Sequence, residues 1–390
     1  MQTIRLIENE NDQKQASDLA AYCFVDETGL SKRIFPLGSA DRFLGLFDGE
    51  TLASAVLSKG FLSSLFGEVV PSSGISCVVS SPQYRNRNFV KLLLTKVIKE
   101  DYEKGKLFSA LYPFLYRFYQ KFGYGSLGPA SFYTIDPRDI RLTGSPSGQF
   151  APFLGTDKQL DDYYNIHNKW VQTYDFGIVL KKPSIEKFQD QCKFDKDNIL
   201  LYYGMNGDCE GFIRFHLKTL QPFVIRFELR RIAWAHVEAF KALMHILWVH
   251  RNQCQEITWT APLNVPINWI TMEPRIDHKY TFLWMARPLN LQKLLSMKAE
   301  KNPINGKFTF SVKDEIIPEN SGTYTIEGNT VVQESFQDKN TLTLDAFSSL
   351  LFGGISLKEA LLAELVNYDF PAEAENFFSI NRNIYISEWF

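Results

Sequence analysis

The segment that most constrains the fold of this 390-residue chain runs from Ile75 to Glu100, ISCVVSSPQYRNRNFVKLLLTKVIKE. Ile75 to Ser80 is an apolar run rich in β-branched residues, which predicts a strand covered on both faces. Pro82 stops it, since proline removes a ladder donor. Beyond the proline, Phe89, Leu92, Leu93, Val97 and Ile98 recur at helical spacing, while Lys91, Thr95, Lys96, Lys99 and Glu100 fall largely on the other side. The predicted order is strand, basic turn (Tyr84 to Asn88), helix. A helix start presents unpaired N–H groups and the positive end of a dipole, and Arg85 and Arg87 add formal charge beside it. Such a turn suits an anionic group such as a pyrophosphate.

At this length roughly two to four domains are expected, each able to bury a core. With 45% hydrophobic and 14% aromatic residues the chain is a packed globular protein and not a disordered one. Lys and Arg total 42 against 44 Asp and Glu, a net charge of −2, so no global field draws it to nucleic acid or to an acidic membrane. Any anion site must therefore be local. The opening MQTIRLIENEND lacks a long apolar stretch, and nowhere do eighteen apolar residues run together, so neither secretion nor membrane spanning is expected. Cys23, Cys77, Cys192, Cys209 and Cys254 are odd in number and form no C-x-x-C pair, which fits reduced thiols and a cytoplasmic location.

Three units are predicted, over 1–138, 139–286 and 287–390. The first alternates strands and helices and closes with a short helix (Phe114 to Lys121) and a strand (Ser131 to Ile135) before Asp136-Pro137. The second has strands at Ile199 to Tyr203, Gly211 to Leu217 and Val224 to Leu229, then a helix from Trp234 to His250. It imitates the first without a basic turn. In the third, a helix from Leu289 is followed by hairpin strands around Glu327-Gly328-Asn329 and two amphipathic segments. The last residues, Trp389 and Phe390, favour burial of the chain end and with it a carboxylate.

The turn and helix VVSSPQYRNRNFVKLLL resemble the acetyl-CoA motif of the GNAT superfamily, R/Q-x-x-G-x-G/A entering a helix. FYQKFGYG, Phe118 to Gly125, resembles the same family's Phe-Tyr-x-Lys/Arg-x-Gly-Phe/Tyr segment. Over essentially the whole chain the organisation is similar to the Eis (enhanced intracellular survival) type of acetyltransferase. That resemblance implies an α/β (α+β) fold: tandem GNAT-like mixed sheets flanked by helices, plus a C-terminal α+β domain similar to sterol carrier proteins. It implies an acetyl-CoA-dependent N-acetyltransferase acting on a small amine of aminoglycoside or polyamine type, and a homo-oligomer.

Carried over by position, Val78, Val79 and Ser80 match the strand beside the pantetheine arm. Arg85 and the turn Asn86, Arg87, Asn88, Phe89, Val90 and Lys91 match the pyrophosphate site, and Phe114 and Leu115 match the segment passing beside the cofactor. Tyr119 matches the family's general acid, and Phe390 its terminal carboxylate base. Asn88 stands where the motif has its first Gly and Val90 where it has Gly or Ala; Asn tolerates left-handed backbone, whereas a β-branched Val does not.

The chemistry wants such groups. An alkyl amine of pKa about 10.4 is neutral roughly once in 10³ molecules at pH 7, so a base must take its proton. The leaving thiolate must collect one, which suits a phenol. Asp26, Glu27 and Glu388 are candidates for an acidic wall facing a polycationic amine. Competing readings are ordinary ones: a solvated turn for Arg85 and Arg87, packing for Tyr119 with Tyr124 as the rival acid, and a docked tail for Phe390. His245 and His250 on one helix, with neither H-E-x-x-H nor a Cys pair, predict no metal site. Ser184-Ile-Glu-Lys187 reads as a helix cap. The competing class of function is a non-catalytic binding protein or scaffold with an apolar ligand site in the C-terminal domain.

Overall fold

The computed structural model describes residues 2–25, 34–35, 37–142, 144–273, 275–368, 370–388 and 390. The first part of the chain runs β1 (Gln2–Leu6), α1 (Glu10–Phe24), β2 (Arg42–Asp48), β3 (Thr51–Leu65), β4 (Glu68–Ser80), α2 (Phe89–Glu103), β5 (Phe108–Leu111), α3 (Tyr116–Gln120), β6 (Gly125–Ser126) and β7 (Pro129–Ile135). The middle part runs β8 (Gln149–Pro152), α4 (Asp157–Val171), β9 (Ile178–Val179), α5 (Ile185–Asp195), β10 (Asn198–Tyr203), β11 (Cys209–Gln221), β12 (Val224–Trp234), α6 (Val237–Val249), β13 (Glu256–Ala261), α7 (Ile267–Ile270), β14 (Asp277–Phe282) and β15 (Met285–Pro288). The last part holds α8 (Leu291–Lys301), β16 (Lys307–Val312), β17 (Gly322–Glu327), β18 (Thr330–Glu334), β19 (Thr341–Leu342), α9 (Leu344–Leu351), α10 (Leu357–Leu362) and α11 (Ala372–Phe377).

Among the described residues these strands form three sheets, ordered β1-β2-β3-β4-β5-β15-β6 with β9 on β3, β14-β7-β13-β12-β11-β10-β8, and β18-β17-β16-β19. The first two follow one plan. In each, an antiparallel run ends in one parallel pair, β4 with β5 and β12 with β13, and a helix (α2 or α6) makes the crossover.

The chain exchanges strands between these two sheets. The strand at Ser131 to Ile135, read from the sequence as closing the first unit, lies in the second sheet as β7, between β13 and β14. In return β15 inserts beside β5 and β6 of the first. Apolar alternation marks a segment as a strand, but its ladder partner is chosen by non-local packing. Segments near residues 138 and 286 are thus interleaved, and no linear cut separates the sheets.

Helix α2 forms over the predicted turn and buries Phe89, Leu93, Leu94, Val97 and Ile98 against the first sheet. At 100° per residue this arc is centred near Val97, which leaves Leu92, grouped with the buried face in the sequence reading, 51% exposed on the far side. Burial of each such aliphatic side chain contributes about 1.5–3 kcal/mol. The third sheet joins the first through a shared core in which Leu65, Phe108 and Leu127 pack with Phe310, Phe347 and Phe352. Arg287, fully buried, bridges the same junction. It donates to the Phe122 carbonyl at 2.5 Å and pairs with Asp314, whose carboxylate also accepts from Ile316 N, Ile317 N and Asn320 Nδ2. A buried pair lasts only when its remaining lone pairs are satisfied in this way.

Candidate active site

The parallel ladder between β4 and β5 stops early. Ser72 to Ile75 pair with Phe108 to Leu111, and β4 then continues to Ser80 with no β5 partner among the described residues. The β3–β4 register shifts between Ala55 and Leu57, and opposite that shift Cys77 takes φ 47°, a β-bulge that bends β4 away. A wedge opens at Ile75. Its β4 wall is Ser76 to Ser80, with the predicted Val78 half-buried, Val79 buried and Ser80 hydrogen-bonded through its hydroxyl to Ser54 at 2.7 Å. Burial pushes the Cys77 thiol up to about 12, so it stays protonated and is no nucleophile at neutral pH.

At the top of the wedge the chain does not enter α2 directly. Pro82 to Tyr84 make a short 3-10 turn, after which Asn86 (φ 62°) and Asn88 (φ 61°) both adopt left-handed backbone. The sequence reading foresaw that conformation at Asn88; Asn86 shares it. Val90 has no positive φ, so its β-branch costs nothing there. Asn88 caps α2 without a side-chain hydrogen bond, and the first intrahelical bond is Leu92 N to Asn88 O at 3.0 Å. The amides of Phe89, Val90 and Lys91 therefore lie in the turn that has no intrahelical acceptors, and the first turn carries no acid. Phe89 contributes only its backbone, because its ring is core. Arg85, Arg87 and Lys91 are exposed around this helix start; Arg85 Nε lies 3.4 Å from Ser80 O, and the Arg87 guanidinium sits over the Tyr84 ring at 5.4 Å. The arrangement brings unpaired amides, the positive end of the helix dipole and three exposed cations together, the pattern of an anion cradle.

On the other side of the wedge, just beyond β5, Phe114 and Leu115 are 67% and 54% exposed. Adjacent exposed apolar side chains beside an anion cradle suit the apolar part of a long, anionic ligand. The Phe114 ring leads directly to Tyr119, 5.3 Å away edge to face. Tyr119 is buried among Phe114, Phe118 and Tyr124, and burial raises its phenol above the ordinary value, which keeps the proton on. Among the described residues its hydroxyl takes no hydrogen bond. The rival, Tyr124, is fully buried with its hydroxyl 2.8 Å from Ser109 Oγ. A phenol already engaged in the core is the poorer proton donor to a ligand.

Phe390 packs at the mouth of the wedge. The Phe390 ring packs against Phe61 and Tyr112, both at 5.3 Å between centroids, and lies on Gly74, where a Cβ would meet its Cδ2 at 2.4 Å. Gly74 is the residue before Ile75, the last β4 residue paired to β5, so the terminal residue docks where the strands part. The sequence reading missed Gly74, although a glycine inside a strand is a signal of close approach. It also missed Tyr112, whose hydroxyl donates to the Glu388 carbonyl at 2.9 Å.

Of the proposed acidic wall, Asp26 and Glu27 lie outside the described residues. Glu388 does not form an open wall: its Oε2 takes Arg231 Nη2 at 2.5 Å, and burial raises its carboxyl pKa against the opposing pull of that arginine. Nothing in the local sequence pairs residues 157 positions apart. Ser184 caps α5, accepting from Lys187 N at 3.3 Å, as its position after a proline suggested.

In the second sheet the corresponding parallel pair ends at Leu229 and Trp259, but the helix that follows is closed to anions. His236 caps α6 with its own ring, accepting from Ala239 N, and Glu238 sits in the first turn. The structure thus keeps one cradle of this kind in the first sheet and not in the second.

Residues 3–127 match the family model of an acetyltransferase (GNAT) domain, residues 182–288 match a second acetyltransferase (GNAT) domain model, and residues 291–386 match a sterol carrier protein domain. No curated protein sequence matches the chain. Among solved structures, a GCN5-related N-acetyltransferase from Anabaena variabilis is 18% identical, with 99% of each chain covered and a TM-score of 0.84. Eis1 from Mycobacterium abscessus is 17% identical over 100% of both chains, with a TM-score of 0.81. A probable N-acyltransferase from Enterococcus faecalis is 20% identical, covering 99% of this chain and 97% of that one, with a TM-score of 0.79. At these identities the likeness is one of fold, and it extends over the whole chain.

Proposed function

We propose that the chain, with its two acetyltransferase (GNAT) domain matches and a sterol carrier protein domain match, is an N-acetyltransferase of the Eis type that carries acetyl from acetyl-CoA directly to a primary amine of a small polycation, of aminoglycoside or polyamine type. The observation that carries this reading is the docking of Phe390 on Gly74, at the mouth of the only wedge that also has a cradle among the described residues. The amides of the α2 start, with Arg85, Arg87 and Lys91, would take the pyrophosphate. The walls Val78 to Ser80 and Phe114-Leu115 would take the pantetheine arm.

In the transfer, the amine nitrogen bonds to the thioester carbonyl carbon and the carbon–sulfur bond breaks. The amine proton passes to the Phe390 carboxylate, directly or through a water, and the thiolate takes its proton from Tyr119. No covalent enzyme intermediate is needed, in keeping with the protonated Cys77. Among the described residues no helix is long and apolar enough to cross a membrane.

Calorimetry with acetyl-CoA and an assay of thiol release on adding spermidine or an aminoglycoside test the proposal together. Binding of acetyl-CoA is expected to weaken about 10-fold at low salt in an Arg85→Gln, Arg87→Gln double variant, with the difference shrinking as salt rises. Thiol release is expected only when an amine is present. Binding without release across a broad amine panel would favour the scaffold reading, and absence of binding would remove the enzyme reading altogether.

A further inference from the structure

The second domain lacks an anion cradle, yet its wedge is not idle. Beyond the last β12–β13 pair, Leu229 with Trp259, the two strands are bridged by the C-terminal tail. Tyr385 Oη approaches Thr260 O on β13 at 3.4 Å, and Glu388 pairs with Arg231 on β12. Arg231 is held from behind, since its Nη1 donates to Tyr163 Oη on α4 at 2.9 Å. Upstream of Glu388 the tail is also tied by backbone, Asp175 N to Asn383 O at 2.8 Å and Tyr385 N to Asp175 O at 3.0 Å, and by side chains, Asn381 Nδ2 to Asp175 Oδ2 at 2.5 Å, Asn264 Nδ2 to Asn383 Oδ1 at 3.0 Å and Ile178 N to Ser387 Oγ at 3.4 Å. Ile384 and Ile386 are buried and fasten this part by packing.

From Glu388 onward the tail leaves the second domain for the first. The Glu388 carbonyl accepts from Tyr112, and two residues later the Phe390 ring rests on Gly74. Glu388 is therefore the pivot: its side chain is held by one domain and its backbone by the other. We infer that Arg231 of the second domain is a positioning residue for acetyl transfer, holding the chain terminus over the wedge of the first domain through Glu388. The inference rests on the reading of the Phe390 carboxylate as base, and gives the cradle-less second domain a role in that same site.

The physical grounds are those of a buried ion pair, which is weak evidence for stability but constrains position: Arg231 holds Glu388 Oε2 with one nitrogen and Tyr163 Oη with another, while Glu388 Oε1 makes no hydrogen bond and lies 3.9 Å from His167 Nε2. Apolar contacts at Ile384 and Ile386 tolerate sliding; a two-ended guanidinium between a carboxylate and a phenol does not. A displacement of about 1 Å at a reacting group can cost about 10²-fold in rate.

The test compares Arg231→Met, Arg231→Lys, the Arg231→Met/Glu388→Met double variant and deletion of Phe390, in the full-length protein. The double variant replaces the pair by apolar groups and leaves no unpaired buried charge, so it keeps the test open should Arg231→Met fold poorly. In folded Arg231→Met and in the double variant, kcat is expected to fall about 10²-fold with the KM for acetyl-CoA within about two-fold of wild type, and Arg231→Lys is expected to recover part of the loss. Deleting Phe390 from the Arg231→Met protein is expected to add no further loss, because both changes remove the same aligned carboxylate. If Phe390 deletion lowers kcat while both Arg231 variants turn over like wild type, the inference fails and the base reading stands. If Phe390 deletion leaves kcat unchanged, the base reading fails first, and any loss in Arg231→Met cannot act through the chain end.

Discussion

Gly74→Ala tests the docking of the chain end with one methyl group. The new Cβ would lie 2.4 Å from Phe390 Cδ2, 2.6 Å from its Cε2 and 2.7 Å from Phe61 Cε2. Carbon atoms pack at about 3.5–4.0 Å, so the Phe390 ring must lift by roughly 1 Å or more from the sheet. Gly74 has no positive φ, so alanine fits the strand backbone itself. The structural cost falls on the two rings that the Cβ displaces, Phe390 and Phe61, and includes the contacts of Phe390 with Phe61 and Tyr112, aromatic pairs worth about 0.5–1.5 kcal/mol each. The kinetic cost is larger, because the terminal carboxylate is carried on the displaced residue: about 10²-fold in kcat for a 1 Å misplacement. Initial rates of thiol release at saturating amine, with melting temperature as the control for folding, measure both. The expected result is a melting temperature within a few degrees of wild type, an unchanged KM for acetyl-CoA and a kcat reduced about 10²-fold. A fully active Gly74→Ala protein would refute the docked terminus as part of the catalytic apparatus, since no ring position compatible with that Cβ leaves Phe390 where it now lies.

Tyr119→Phe is expected to lower kcat by about 10²–10⁴-fold at little cost to stability, because among the described residues its hydroxyl has no hydrogen bond to lose. Tyr124→Phe is expected to do the reverse, costing about 1–3 kcal/mol by stranding the buried Ser109 hydroxyl while leaving most of the rate; chemical denaturation and steady-state rates on both variants decide which phenol is the acid. His167, fully buried on α4, has its pKa lowered to about 3, chiefly by burial and next by the Arg231 charge. Below about pH 6.5 the unfolded chain takes a proton there that the folded chain refuses, so this contribution to stability is present above that pH and is lost as pH falls toward 3. The expected difference from a His167→Gln variant is a slope of about 1.4 kcal/mol per pH unit across that window, read from urea unfolding at several pH values; parallel curves for the two proteins would contradict a neutral buried histidine.

The strand from Ile75, the breaking Pro82, the two arginines and the helix that follows are all legible in the local order of residues, and the structure forms that strand, turn and helix in that order. So is the aromatic cluster from Phe114 to Tyr124. These features rest on 2.0- and 3.6-residue periodicity, on proline's missing donor and on asparagine's tolerance of left-handed backbone, which depend on residues within a few positions of one another. The exposure of Leu92 and the 3-10 turn at Pro82 are small departures of the same local kind.

Other features depend on contacts between distant segments. Pro129–Ile135 looks the same in either sheet, and its place beside β13 and β14 follows from how two cores share their strands. Glu388 is acidic in any fold, but a guanidinium 157 positions earlier turns it from an open acid into the pivot of the tail. Short-range sterics and hydrogen bonding thus wrote the motif into the amino-acid order. The meeting of Phe390 with Gly74 came from long-range burial, which places two distant segments against each other and is not written into either segment alone.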